Sequence, residues 1–448
     1  MTMFLLLLLL VAITACVTAL TILVLYPRVT TTGKDDTEAK DGSPPRPETS
    51  RTSRTRTTRK SSTTMTTTTT SLPRQMLFCV VDTPMKQPLP DGLCTVAVLS
   101  ITHGSFFAIG TNDLLVKWGG HAMDAAVTVY GVDIRTEALA TAKQRLLADP
   151  IPFEIVWSYN IHSFGVLDTE LTPTTQYEAI SEVIDVVKII QGLQSSFRDA
   201  NKGFSFIGVA PRYKGNKAAN LKQHIDRLIR ELKPHVVLFR TTDIRNMSIS
   251  GQYRILGPSP WYDPDAVEQP TFVDSLELKQ SVTLPQDTKV LLSLSVAAFR
   301  LNCTYPFTFS DVGDQMTCCV DKIPVRNFAC QDGADYYYYR HGEHDYQRAH
   351  ERHLYGGSMG LKDSNVMVIY DSNKTMSRKI CNTSLSFQYT GGWAAFDVNV
   401  IQDPTWNVNC GSKVPYQGLN PLRKIKEYMG REGHWTDCDA NTLSDTNL

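Results

Sequence analysis

The feature that most constrains this chain is a texture that begins at Met76. Short apolar runs alternate with longer amphipathic segments from there on. "LFCVVD" (77–82), "CTVAVLSI" (94–101), "AAVTVYGVDI" (125–134), "FSFIGVAP" (204–211), "HVVLFRTTD" (235–243), "KVLLSLSVAAF" (289–299) and "GWAAFDVNV" (392–400) read as strands. Most are apolar on both faces, so both faces must be covered, which is the condition of a buried parallel strand. Between them lie helical patterns at 137–147, 177–197, 221–232 and 421–429. The clearest carries Ile180, Val183, Ile184, Val187, Ile190 and Leu193 at helical spacing. The last opens on Pro421, which a first helical turn tolerates. Strand and helix in alternation predict a parallel α/β domain. Seven or eight strands without a glycine-rich phosphate loop favour a (β/α)8 barrel over a doubly wound sheet. In such a barrel the chemistry sits at the carboxyl ends of the strands.

The chain has 448 residues, 42% of them hydrophobic, and no net charge. It is long enough for a large core, and nothing in its charge argues for nucleic acid. Residues 3–26, "MFLLLLLLVAITACVTALTILVLY", precede the first charged side chain, Arg28. As a helix, at about 1.5 Å per residue, this run reaches roughly 35 Å, enough to cross a bilayer. An uncleaved signal-anchor is expected, because the run is long and lacks a basic leader. A cleaved signal peptide, and so a secreted protein, is the alternative. Arg28 and Lys34 after the span would place the remainder in the cytosol. Three features argue for the outside. Sequons stand at Asn246, Asn302, Asn373 and Asn382. Of ten cysteines only Cys16 lies in the apolar run, and the other nine suit an oxidising compartment. Nine is odd, so one thiol is free or pairs elsewhere. Residues 27–74 hold almost no large apolar side chain after Val29 and read as a disordered Ser/Thr/Arg-rich stalk. Its basic set from Arg51 to Lys60 also suits an anionic surface.

The stretch "SFGVLDTEL" (163–171) ends an apolar run with Asp168 and Glu170, two apart. On a strand both carboxylates face the same way. They read as a catalytic acid pair or as a polar strand end before a loop. A second conspicuous stretch, "YYYYRHGEHDYQRAHERH" (336–353), holds four histidines. His-Glu-x-x-His is absent, and an exposed amphipathic helix is preferred to a metal site. Its tyrosines either stack on sugars or pack a small lobe. No metal and no cofactor are expected.

The order of segments resembles glycoside hydrolase family 18, the chitinases and chitinase-like lectins, over roughly residues 76–429. "LFCVVD…DGLCTVAVLSI" matches the first two strands, and the resemblance implies a Cys79–Cys94 bridge. "ELKPHVVLFRTTDIR" resembles the sixth strand, with Asp243 on the family's Asp and Thr242 where it has Tyr. "DTKVLLSLSVAAF", "VMVIYDSNKTMSRKI" (366–380), "GGWAAFDVNV" and "NPLRKIKEYM" resemble the seventh strand, the segment before the eighth, the eighth strand and the closing helix. "GWAAFDVNV" and "VIYDSNKT" look most like membrane-anchored chitinase-like proteins of ticks and other arachnids.

What the resemblance implies is specific. Aligned without a gap to the family's Asp-x-x-Asp-x-Asp-x-Glu, Glu170 becomes the acid and Asp168 the group that orients the substrate's acetamido nucleophile. Ser163 and Val166 fall on the two earlier Asp positions, and Phe396 on the Trp that floors the sugar site. Asp243, Thr242, Phe396 and Trp393 are the candidate ligand-binding residues. Losing one preorganised donor costs on the order of 10²–10³ in rate. The expected arrangement is an anchor (3–26), a stalk (27–74), a chitinase-like barrel (75–430) with an insertion lobe at about 302–365, and a tail (431–448). Cys318, Cys319 and Cys330 would staple that lobe. The expected function is an extracellular recognition module, catalytically impaired, for chitin or another N-acetylglucosamine glycan. An active hydrolase using Glu170 and Asp168, and an interaction protein without sugar affinity, are the alternatives.

Overall fold

A computed structural model of the chain describes residues 75–82, 88–101, 113–148, 156–172, 175, 177–196, 203–211, 218–242, 251–254, 258–261, 270–303, 315–323, 357–360, 366–371, 373–401, 419–431 and 438. The strands are β1 (Leu77–Val81), β2 (Val96–Ile101), β3 (Val129–Ile134), β4 (Ile161–Leu171), β5 (Ser205–Pro211), β6 (Val236–Phe239), β7 (Gly251–Arg254), β8 (Lys289–Ser295), β9 (Ala298–Cys303), β10 (Gln315–Ile323), β11 (Gly357–Gly360), β12 (Val366–Tyr370) and β13 (Gly392–Phe396). The helices are α1 (Asp113–Asp124), α2 (Leu139–Ala148), α3 (Tyr177–Ser196), α4 (Ala218–Leu232), α5 (Phe272–Ser281), α6 (Asn373–Phe387), α7 (Val398–Ile401) and α8 (Asn420–Gly430).

Eight strands close into a barrel in the order β1-β13-β8-β6-β5-β4-β3-β2, and the pairings are parallel, with β1 meeting both β2 and β13. Alternate residues of each strand face opposite ways. Phe78, Val80, Val96, Val98, Leu167, Phe206, Leu238 and Phe396 fill the interior. Leu77, Cys79, Val81, Val132, Val166 and Trp393 pack in the layer under the helices. Runs that are apolar on both faces are therefore buried on both, as the sequence texture requires. Strands β4 and β5 approach so closely that glycine is needed at the contact. A Cβ on Gly165 would stand 1.9 Å from the Phe206 carbonyl oxygen, and one on Gly208 would stand 2.3 Å from that of Leu167. The β4–β5 ladder shifts register between Val166 and Thr169.

The differences from the sequence reading have local causes. Residues 125–128 are not strand, because the Asp91 carboxylate gathers the backbone N–H groups of Ala126, Val127 and Thr128 at 2.7–3.2 Å. Asp397, at φ 64°, ends β13, and α7 follows where strand was expected to continue. Residues 298–303 leave the barrel and join a second sheet, ordered β11-β12-β9-β10-β7 and antiparallel in its pairings. This small lobe also takes β7 from between β6 and β8.

The Asp91 clasp gives a testable acid dependence. Backbone hydrogen bonds from Thr128 and Ala126 pull its carboxyl down to about 2. A carboxyl lowered on folding contributes stability that is present above its unfolded value, about 3.9, and lost as pH falls through the folded one. Thermal melts of wild type should therefore drop more steeply between about pH 4 and 2 than those of Asp91→Asn. Equal slopes would remove Asp91 from the account.

Two disulfides lie among the described residues. Cys79–Cys94 joins β1 to the entrance of β2, as the resemblance implies, with Cα atoms 6.0 Å apart. Cys381–Cys438 ties α6 to the segment after α8, with Cα atoms 5.6 Å apart. In the lobe the register sets Cys318 opposite Cys303, while Cys330 is outside the described residues. Among the described residues no helix is long and apolar enough to cross a membrane. The expected anchor, the stalk, the histidine-rich stretch, Asn246 and Asp243 all lie outside them. Asn302 is in β9 and Asn373 in α6. Asn382 is half-buried in α6, and the Thr383 of its sequon is fully buried, donating to the Lys379 carbonyl.

Candidate active site at the barrel mouth

The carboxyl ends of the barrel strands bring charged side chains together. Strand β3 is apolar until its penultimate residue, Asp133, which is fully buried. Its oxygens accept from the Leu167 amide and from Ser100 Oγ, both at 2.7 Å. Burial, reinforced by the neighbouring Asp168 charge, pushes the Asp133 carboxyl up to about 7, against the pull of Arg135. Arg135 follows β3. Burial works to lower its basicity, but Asp133, Asp82, Asp168 and Glu137 together hold it above its ordinary value.

Asp168 and Glu170 stand near the end of β4. Asp168 accepts from the Thr136 amide at 3.0 Å and from Thr136 Oγ1 at 3.1 Å, and Arg135 Nε lies 3.9 Å away. Glu170 is exposed. Val166, the position aligned to an inner carboxylate, faces the apolar layer under the helices. The β4–β5 ladder shifts register just beyond it. The buried carboxylate beside Asp168 comes from the neighbouring strand, as Asp133.

The β6 and β13 ends meet across the mouth. Arg240, just past β6, is 2% exposed. Its guanidinium carbon lies 4.2 Å from the centre of the Phe396 ring, a cation–π distance, and its Nε donates to Thr242 Oγ1 at 3.1 Å. Burial and Arg135 lower its basicity to about 10, while Asp168, Asp397 and Asp82 oppose that. Thr242 is buried and also accepts from Ser293 Oγ at 3.2 Å. Asp397 accepts from Ser295 Oγ at 2.7 Å. Phe396 is at the mouth, then, but Arg240 covers its ring. Trp393, three residues earlier, faces the other way. It is fully buried, with the Phe272 and Tyr389 rings each 5.9 Å from it. That packing leaves Trp393 no face for a ligand. Among the described residues no group of three or more His, Cys, Asp or Glu side chains is arranged to hold a metal.

Asp133, Arg135, Arg240 and Asp397 were not singled out by motif. The available signal was a single acid closing the apolar run "VYGVDI", and an arginine directly after the fully buried run "VVLF".

No family model matches the sequence, and no curated protein shows significant similarity to it. Solved structures do match in shape. A glycoside hydrolase family 18 N-acetylglucosaminidase from Paenibacillus barengoltzii superposes with a TM-score of 0.51 at 10% identity, over 79% of this chain and 99% of that one. The shared fold is the closed (β/α)8 barrel. A chitinase from Bacillus thuringiensis matches at 0.51 and 9% identity, over 80% of this chain and 70% of its own. A chitinase-like agglutinin from Robinia pseudoacacia is also similar, at 0.48 and 10% identity, over 75% of this chain and 94% of that one. At such identity the likeness carries shape without chemistry.

Proposed function

We propose that this family 18-type barrel is a recognition module that does not hydrolyse N-acetylglucosamine polymers, anchored through residues 3–26 with the barrel outside the cell. The observation that carries the reading is the Arg240 guanidinium on the Phe396 ring. In the resemblance that ring is the floor under the reacting sugar, and here the chain's own side chain lies on it. Asp168 supports the same conclusion, because both of its oxygens are engaged by Thr136. An acetamido group would have to displace those bonds before it could be oriented. The tyrosine donor of the family is replaced by Thr242, a shorter side chain whose oxygen accepts from Arg240 and Ser293 in the buried layer below. Each lost preorganised group costs on the order of 10²–10³ in rate, and together they leave little catalysis.

The hydrolase reading has one observation in its favour, the exposure of Glu170 two residues from Asp168. A single assay divides the two. The purified protein is given a fluorogenic chitobioside, and separately chitin beads. Wild type and Glu170→Gln should release fluorophore alike, at the protein-free rate, while the beads retain the protein. Turnover that Glu170→Gln abolishes would establish the hydrolase instead. No turnover together with no retention would support an interaction protein without sugar affinity.

A further inference from the structure

We propose that Asp133 and Asp168 form a proton-operated latch, in which the protonation state of Asp133 decides whether Asp168 holds the segment that leaves β3. This is independent of any ligand the mouth takes. The geometry has three parts. Asp133 is fixed, with one oxygen on the Leu167 amide and the other on Ser100 Oγ, and it is fully buried. Asp168, the next residue after Leu167, is nearer solvent, with its side chain 14% exposed. Its carboxylate is the clasp on Thr136, the first residue of the short 3-10 turn Thr136–Ala138 that leads into α2.

Among the described residues, the charged groups near the pair include Glu170, two residues beyond Asp168 and exposed. Arg135, just past β3, faces both carboxyls, Asp82 just past β1, and Glu137. Arg240, past β6, faces Asp168, Asp82 and Asp397. With a proton on Asp133, that carboxyl donates to Ser100 and the pair carries one negative charge. When the proton leaves for solvent, the Ser100 hydroxyl turns to donate to Asp133, and two like charges stand at the ends of adjoining strands. Their repulsion acts on the member that is free to move, because Asp133 is held by a buried amide. Asp168 then swings toward water and releases Thr136. The raised Asp133 carboxyl agrees with this direction. A carboxyl raised on folding contributes stability that is present below its unfolded value and lost as pH rises through the folded one.

Trypsin reads the latch directly, because Arg135 is the cleavage site next to Thr136. Cleavage after Arg135 is followed in the whole, disulfide-intact protein by peptide mass, relative to a synthetic peptide of the same sequence at each pH. The wild-type relative rate should rise about tenfold or more from pH 6 to 8.5, as local opening becomes easier. Asp133→Asn should stay slow at both, since Asn still accepts from Leu167 and donates to Ser100. Asp168→Ala should be fast at both. A wild-type rate that does not change with pH, or that changes equally in Asp133→Asn, overturns the latch. Should Asp133→Asn fail to fold, the contrast of pH-dependent wild type with pH-independent Asp168→Ala decides alone.

Discussion

Replacing Lys379 by methionine is expected to cost about 3–5 kcal/mol of stability. Lys379 lies on α6 and forms an ion pair with Asp371, directly after β12, and the two side chains are 0% and 1% exposed. Asp371 is also bonded by Thr375 Oγ1 at 3.4 Å. Burial pushes the Asp371 carboxyl up and the Lys379 amine down, each opposed by its partner. The pair is therefore poised between the cost of desolvation and the attraction of opposite charges. Removing the amine alone leaves the buried Asp371 carboxyl without the charge that opposes its desolvation. Removing both charges, in Asp371→Leu with Lys379→Met, should recover most of the loss, because well-packed apolar groups replace a buried pair at little cost. Urea unfolding at an unchanged slope measures both variants. A single variant within about 1 kcal/mol of wild type, or a double variant no better than the single, would refute the account. Asp371 belongs to the stretch "VIYDSNKT", one of those that carry the resemblance. Its observed work is to tie the lobe sheet to a barrel helix.

The second large effect is expected just beyond Lys379 on the same helix, at Cys381. Changing Cys381 and Cys438 together to alanine should cost about 4 kcal/mol by the chain-entropy estimate, for a closed loop of 57 residues. That loop contains β13 and α8, so the cross-link restrains the last barrel strand and the closing helix in the unfolded chain. Helix α8 buries Leu422, Ile425, Tyr428 and Met429 against the barrel, and those contacts remain in the variant. The loss should thus appear as a lower denaturation midpoint with a steeper slope, since an uncross-linked unfolded chain exposes more surface. Equal stability of variant and wild type would show that the bridge does not restrain the unfolded state.

The barrel was legible because its cause is local. A strand buried on both faces must be apolar at every position, as "LFCVV" and "VVLF" are. Helix α3 repeats its apolar residues at helical spacing, and its observed span, Tyr177–Ser196, follows that pattern closely. The boundaries that failed did so through contacts from far along the chain. Asp91 reaches residues 126–128 across more than thirty positions, and no window around Ala125 contains that information. The Cys381–Cys438 bridge was missed because cysteine spacing does not specify pairing.

The site was legible only in outline. Asp168, Thr242 and Phe396 lie near the carboxyl ends of their strands, and their contacts are set by neighbours on other strands. Alternation alone separates Trp393 from Phe396, yet which of the two faces the interior depends on how β13 sits between β1 and β8.

The amino-acid sequence by itself determined the alternation of buried strands and amphipathic helices, and with it a closed parallel barrel, because burial on both faces and helical periodicity are written in neighbouring residues. Only the tertiary structure decided that Asp133 lies beside Asp168 and that Arg240 covers Phe396. Those juxtapositions follow from inter-strand register, including the shift in β4, and register is set by packing across the whole ring.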